Sequence, residues 1–367
     1  MGRGVNHRAP PFKPGTATPD RALSLRMTKL VYIDDSLPGI TRKGAGTGFA
    51  YYSPAGDLIR DRAEKTRLNA IALPPAYRDA WFCPAPNGHI LATGYDDAGR
   101  KQYRYHPDFR MMREGDKFDK CEAFGRLLPL IRARVDEDLS QPQVTQTRAI
   151  ASVVRLLDLS AVRIGNRYYA QNNDSFGATT LRRDHAELKS GGLELQFTGK
   201  GGRRREITLD DPRLSRAIRR MDELPRDQDD ADLADRLFRF EDAEGHPQPV
   251  TSHDVNSYLR DTMGEDFSAK HFRTWHASVI AFEMLAGASE PITIRAMLEV
   301  VSDHLGNTEA TARKSYIHPA VIARIEDQEQ WRDTLTLPRA NTWLTRHERG
   351  LLQLLEQSPA AGELLAA

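Results

Sequence analysis

Leu305-Gly306-Asn307-Thr308-Glu309-Ala310-Thr311-Ala312-Arg313-Lys314-Ser315-Tyr316-Ile317-His318-Pro319 is the stretch on which the reading of this chain turns. Upstream of it Ile294, Met297, Leu298, Val301 and Leu305 recur at three- and four-residue steps. That is the spacing of one helical face, and it predicts a helix over 292–305. Gly306 lets this helix leave its last turn, since glycine takes the left-handed conformation without a Cβ clash. Asn307 or Thr308 can cap a second, short helix that carries Arg313, Lys314 and Tyr316. A tyrosine flanked by cations near a helix end suits attack on a phosphodiester. The same residues also describe a half-buried aromatic beside a solvated face, and the choice between the two lies upstream.

A chain of 367 residues predicts two domains with tails. Its 40% hydrophobic and 28% charged content is that of an ordinary soluble protein. No apolar run approaches the roughly 18 residues a membrane helix requires. The N-terminal run has no apolar core for a secretory signal, and position 6 is Asn6, not the Ser or Thr that a myristoylation signal at Gly2 wants. Cys83 and Cys121 form neither a disulfide framework nor a zinc pattern. These features exclude membrane and disulfide-scaffold classes and point to a cytoplasmic protein. The near-neutral net charge hides an asymmetry. Residues 1–115 hold 18 Lys/Arg against 11 Asp/Glu, and the remainder 34 against 40. The basic part can attract a polyanion.

Residues 1–27 are Pro-, Gly- and Arg-rich without periodicity and read as a disordered basic tail. Over 28–112 short β segments alternate with turns, which predicts a small, mostly β domain. Its candidate strands are Leu30–Ile33, Gly48–Tyr52, Ala80–Cys83, His89–Thr93 and Gln102–Tyr105, with a short helix around 60–70. The run Gly99-Arg100-Lys101-Gln102-Tyr103-Arg104-Tyr105 interleaves cations with aromatics. Period-2 alternation places Lys101, Tyr103 and Tyr105 on one face and Gln102 and Arg104 on the other. Arg and Lys neutralise phosphates, while Gln and Tyr reach bases or sugars. Gly39–Gly46, with Arg42 at its centre, reads as a second basic loop near which a phosphate can approach backbone.

A linker is expected at 109–117, and from there to 330 the pattern is mainly helical. Phe118, Cys121, Phe124, Leu128, Ile131 and Val135 mark one helix, with Pro129 as a kink site, and Thr145–Asp158 the next. Arg163 follows in Val162-Arg163-Ile164-Gly165, ahead of Arg167-Tyr168-Tyr169. Leu193–Phe197 and Arg203–Leu209 form a hairpin with Lys200 at its tip. A helix over 252–263, with Ser252 as its cap, precedes Lys270-His271-Phe272-Arg273-Thr274-Trp275, which leads into an apolar helix. Residues 331–367 read as a helical tail. The fold class is therefore α+β: a β domain, then a helical domain carrying a β-hairpin.

The ordered set Arg163, Lys200, Arg273 and Tyr316, with Lys270 and the Gln102-Tyr103-Arg104-Tyr105 strand, resembles type IB DNA topoisomerases of the compact poxvirus-like bacterial group. The resemblance covers about residues 28–330. It implies a catalytic domain of the tyrosine recombinase/topoisomerase IB type and a nucleoid-associated location. It makes Tyr316 the nucleophile of a 3′-phosphotyrosine link, Lys200 the general acid for the 5′-oxygen, and Arg163 and Arg273 the phosphate-binding cations. Asn307 stands where better-known members have histidine. Asparagine still donates a hydrogen bond to a phosphate oxygen but carries no charge. Arg100, Lys101, Gln102, Tyr103, Tyr105, Lys270, Tyr169 and Arg42 become candidate DNA-binding residues. Duplex DNA is the implied partner, clamped between two lobes of a monomer, and no cofactor, metal or nucleotide is expected. No G-x-x-x-x-G-K-[ST] run occurs. The alternative is a tyrosine recombinase or integrase, against which Lys270 weighs because those relatives usually have His there. A catalytically silent DNA clamp is a third possibility.

A straight helix over 307–316 would separate its ends by about 13 Å. The helix is therefore expected to end or bend near Ser315, or the tyrosine to move when DNA binds.

Overall fold

In the computed structural model of the chain, residues 29–46, 48–225, 233, 235–264 and 267–366 are described, and the basic tail read over 1–27 lies outside them. The chain forms two compact units, divided between Met112 and Arg113.

The first unit is built on β1 (Ile40–Ala45), β2 (Gly48–Tyr52), α1 (Arg62–Ala70), β3 (Arg78–Phe82), β4 (Ile90–Tyr95) and β5 (Lys101–Tyr105). The strands make one antiparallel sheet in the order β2-β1-β3-β4-β5. Its core is Ile40, Tyr51, Leu73, Phe82 and Ala92, closed by Leu68 of α1. The Gly39–Gly46 loop is corrected here. Its residues Ile40–Ala45 are strand β1, paired on both sides, and Gly46, at φ +59°, follows the strand. A ladder on each edge outweighs the poor strand propensity of its glycine. Leu30–Ile33, by contrast, forms only the single bridge Val31 to Gly88.

The second unit begins in α2 (Pro107–Leu139), so the linker expected at 109–117 is helical. Pro107 accounts for this, since its fixed φ suits a first helical turn. Phe118, Cys121, Phe124, Leu128, Ile131 and Val135 are all buried. Then come α3 (Gln146–Ser160), α4 (Arg167–Asn173), β6 (Ala186–Leu188), β7 (Leu193–Gly199), β8 (Arg203–Leu209), α5 (Pro212–Asp222), β9 (Arg239–Glu241) and β10 (Pro247–Pro249). The last helices are α6 (Ser252–Met263), α7 (Lys270–Gly287), α8 (Ile294–Leu305), α9 (Glu309–Ser315), α10 (Pro319–Ala323), α11 (Gln328–Thr334), α12 (Arg346–Gln357) and α13 (Ala361–Ala366). Thr251, not Ser252, caps α6, through a box with Asp254.

Residues 331–366 are part of this unit. Glu348 of α12 is buried and accepts from both Arg132 of α2 and Trp275 of α7, while Arg132 also grips Asp158 of α3. One buried ion cluster thus joins four helices around the segment that carries Arg273. Among the described residues no helix is long and apolar enough to cross a membrane.

Candidate active site

Helix α8 ends because Gly306 adopts φ 62°, which lets the Asn307 N–H bond back to the Ser302 carbonyl at 2.9 Å. A Cβ on Gly306 would fall 2.7 Å from Nη1 of Arg205. That arginine, from β8, donates to the Asp303 and His304 carbonyls at 2.7 and 2.6 Å, so it holds the end of α8 in place. Thr308 caps α9. The chain leaves α9 at Tyr316, with φ −135°, so the helix ends at Ser315, one of the expected alternatives. Ser278 of α7 fixes this exit, since its hydroxyl donates to the Thr274 carbonyl at 2.8 Å and accepts from the His318 N–H at 3.0 Å.

Arg163 stands in an extended segment that opens after α3, where Ala161 takes φ 51°. The Ala178 N–H holds the Arg163 carbonyl at 2.8 Å. Gly177 permits that approach, because a Cβ there would lie 2.4 Å from the same oxygen. The Arg163 side chain donates to Oδ1 of Asn307 at 2.7 Å. Asn307 is 5% exposed, and among the described residues its Nδ2 has no partner.

Arg273, in the first turn of α7, donates to the carbonyls of Ala161 and Leu305, residues that close α3 and α8. Its guanidinium lies 4.9 Å from the centre of the Tyr316 ring, and its buried Nε has no partner among the described residues. Three chain segments therefore meet at Arg163, Arg273 and the stretch that carries Asn307 and Tyr316. Burial alone would push the Tyr316 phenol up, but Arg273 beside it, helped by Arg163 and Lys117, outweighs burial and leaves the phenol below its ordinary value. Burial lowers Arg273 to about 10. A guanidinium that resists deprotonation this strongly stays charged at neutral pH.

Lys200 is exposed at the β7–β8 turn, which Gly201 and Gly202 make with φ of 77° and 74°. It shares a narrow crevice with Arg163, Arg203, Arg205 and Arg273, and among the described residues no carboxylate lines it. A larger crevice lined by Arg148, Arg213, Arg216 and Arg220 shares none of these residues, and Asp136 and Glu223 stand among its arginines. Among the described residues no His, Cys, Asp and Glu group is arranged to hold a metal ion.

In the first unit the β5 alternation is as read. Tyr103 and Tyr105 stack at 5.7 Å on one exposed face with Lys101 over Tyr103, while Gln102 bonds Asp96. Arg100 also pairs with Asp96, and Lys101 with Asp35. Arg42 departs from the expectation. Its guanidinium is spent on the Leu73 and Pro74 carbonyls and stacks on Phe49, which makes it a structural brace. Lys270 and Tyr169 are exposed, at the start of α7 and in α4.

Two site residues had no readable signal. Arg205 is one of three successive arginines, and nothing in their order says which turns inward. Lys117, which donates to the Ser315 carbonyl and lies 5.3 Å from the Tyr316 ring centre, stood within the expected linker.

The helical unit thus holds a half-buried tyrosine beside arginines, next to a lysine-tipped hairpin, a cationic site suited to a phosphodiester. The family model for the eukaryotic DNA topoisomerase I catalytic core matches residues 106–332, and the model for the bacterial DNA topoisomerase IB N-terminal domain matches residues 48–96. The chain belongs to the type IB DNA topoisomerase family. It is similar to DNA topoisomerase 1B of Acanthamoeba polyphaga mimivirus, 28% identical over 295 residues, covering 77% of this chain and 85% of that protein. It is also similar to DNA topoisomerase 1 of Mycosarcoma maydis, 28% identical over 193 residues, though it spans only 19% of that longer protein. Among solved structures, the XerH site-specific recombinase bound to difH substrate, in a pre-cleavage complex, aligns with a TM-score of 0.35 and 16% identity. That alignment covers 55% of this chain and 50% of the recombinase.

Proposed function

We propose that this chain relaxes supercoiled duplex DNA as a monomer, cutting one strand through a 3′-phosphotyrosine at Tyr316 and resealing it without metal or nucleotide. The observation that carries this is the meeting of Arg163 and Arg273, far apart in the chain, with the stretch that carries Asn307 and Tyr316. A phosphodiester gains charge on its equatorial oxygens as a fifth oxygen arrives, and donors fixed in advance lower that barrier. Arg163, Nε of Arg273 and Nδ2 of Asn307 are those donors. The Tyr316 oxygen attacks phosphorus after losing its proton, a loss made easier by the neighbouring cations. The P–O5′ bond breaks, and Lys200 passes a proton to the leaving 5′-oxygen as general acid. Resealing runs the same steps backwards. Because phosphodiester energy is kept in the tyrosyl link, strand rotation needs no ATP. Tyr103, Tyr105, Lys101, Gln102 and Arg100 of the β5 strand and its turn, with Lys270 and Tyr169, are proposed to contact the duplex. Arg42 is left out.

Relaxation of positively and negatively supercoiled plasmid in EDTA without ATP tests the reading. Wild type is expected to relax both, and Tyr316→Phe neither. Activity that stops in EDTA, or survives in Tyr316→Phe, would overturn it.

A further inference from the structure

Lys117 is placed unlike an ordinary surface lysine. Its ammonium donates to the Ser315 carbonyl and lies 4.6 Å from the Phe118 ring centre and 5.3 Å from that of Tyr316. Ser315 is the last residue of α9, where a carbonyl has no partner inside the helix and a cation is favoured. One turn earlier on α2, Glu114 stands 3.8 Å from Lys314. Helix α2 thus grips the end of α9 at the two residues just before the tyrosine.

We infer that Lys117 is a positioning residue for Tyr316: it anchors the carbonyl that precedes the nucleophile and sets a second cation, beside Arg273, against the phenol ring. This rests on Tyr316 being the nucleophile. Lys117 itself makes and breaks no bond. Anchoring fixes where the phenol oxygen lies, and the charge favours phenolate. The other groups around the pair act in both directions. Arg163, Arg273, Lys270 and Lys314 add positive charge, Glu114 opposes them, and burial pushes the Cys121 thiol up to about 12, so it stays neutral. Burial draws Lys117 itself down, and the phenol it faces offsets part of that. Loss of Lys117 therefore raises the phenol's pKa and delays its ionisation to higher pH.

The test is single-turnover cleavage of a duplex between about pH 6 and pH 10, with wild type, Lys117→Arg, Lys117→Gln and Tyr316→Phe. Lys117→Gln is expected to cleave about tenfold more slowly at neutral pH, with the rise of rate displaced upward by about one pH unit. Lys117→Arg, which keeps the charge, is expected to recover most of the pH profile. Duplex affinity of Lys117→Gln in the Tyr316→Phe background is expected to stay within about twofold, because an anchor of the nucleophile acts on the chemical step. Lys117→Met, which keeps the stem against Phe118, supplies the same comparison if Lys117→Gln melts early. A neutral variant with the wild-type pH profile, or an arginine variant no better than glutamine, overturns the proposal. Covalent adduct formed by Tyr316→Phe would instead refute the nucleophile assignment.

Discussion

The Asn307 side chain is held by one hydrogen bond, and among the described residues its amide nitrogen has no partner. Its Oδ1 accepts from Arg163, which fixes the amide so that Nδ2 is the end left unpaired. A buried donor without a partner is disfavoured by about 1–3 kcal/mol, so its retention needs a reason. A phosphate oxygen supplies one. Asn307→Ala removes that donor and also strips Arg163 of its acceptor. Single-turnover cleavage is expected to fall about 10²–10³-fold, on the scale of one lost oxyanion donor. Duplex binding measured in the Tyr316→Phe background is expected to change little. A variant that cleaves within a few-fold of wild type would remove Asn307 from the mechanism.

At the scale of elements, the helix that carries Arg273 is held from behind by the C-terminal residues. Arg132 lies between Asp158 and Glu348, and Glu348 also accepts from Trp275 and closes the capping box of α12. Glu348→Ala leaves Arg132 half-paired in a buried place, which is expected to reduce unfolding free energy by about 3–5 kcal/mol in urea titration. A loss under about 1 kcal/mol would show the cluster to be incidental. Burial holds His304 and His318 down at about 4, where free histidine titrates near 6.5. The unfolded chain takes up these protons as pH falls below about 6.5, and the folded chain resists until about 4. Stability is thus expected to decline across that window, by up to about 3 kcal/mol for each histidine. Asp158 and Glu348, both held low, add their own loss only below the ordinary carboxylate range. His318→Asn keeps an acceptor for the Ala320 N–H and removes one titration. It is expected to flatten the fall of melting temperature between pH 6.5 and 4, and an unchanged slope would count against this account.

Helix ends were legible at this scale because capping is local. Gly306 and Thr308 do what their types foretell. Strand β1 was not legible, since its glycines and charges read as loop until two neighbouring strands supply the ladder. Nor was the helix through the expected linker, where charged residues carry no apolar rhythm.

At the scale of the molecule, a net charge of +1 gives no strong long-range pull on DNA. Affinity must come from local clusters of cations, such as the carboxylate-free crevice around Arg163, Lys200 and Arg273. Duplex affinity is therefore expected to fall steeply with salt, by at least about 100-fold between 50 and 200 mM, as several released counterions imply. A nearly flat salt dependence would contradict binding through phosphates.

The order of Arg163, Lys200, Arg273, Asn307 and Tyr316 along the chain, the helical and β portions and the turn glycines were all determined by the sequence, because period, capping and turn chemistry act over a few residues. Which cations reach the phenol was decided only by tertiary structure. Lys117 meets Ser315 across 198 positions, and Arg205 meets His304 across 99. No local pattern records such a meeting; it exists once the helices have packed. Packing likewise turned Arg42 from a candidate for DNA into a brace within its own unit, since two backbone carbonyls already take up its guanidinium.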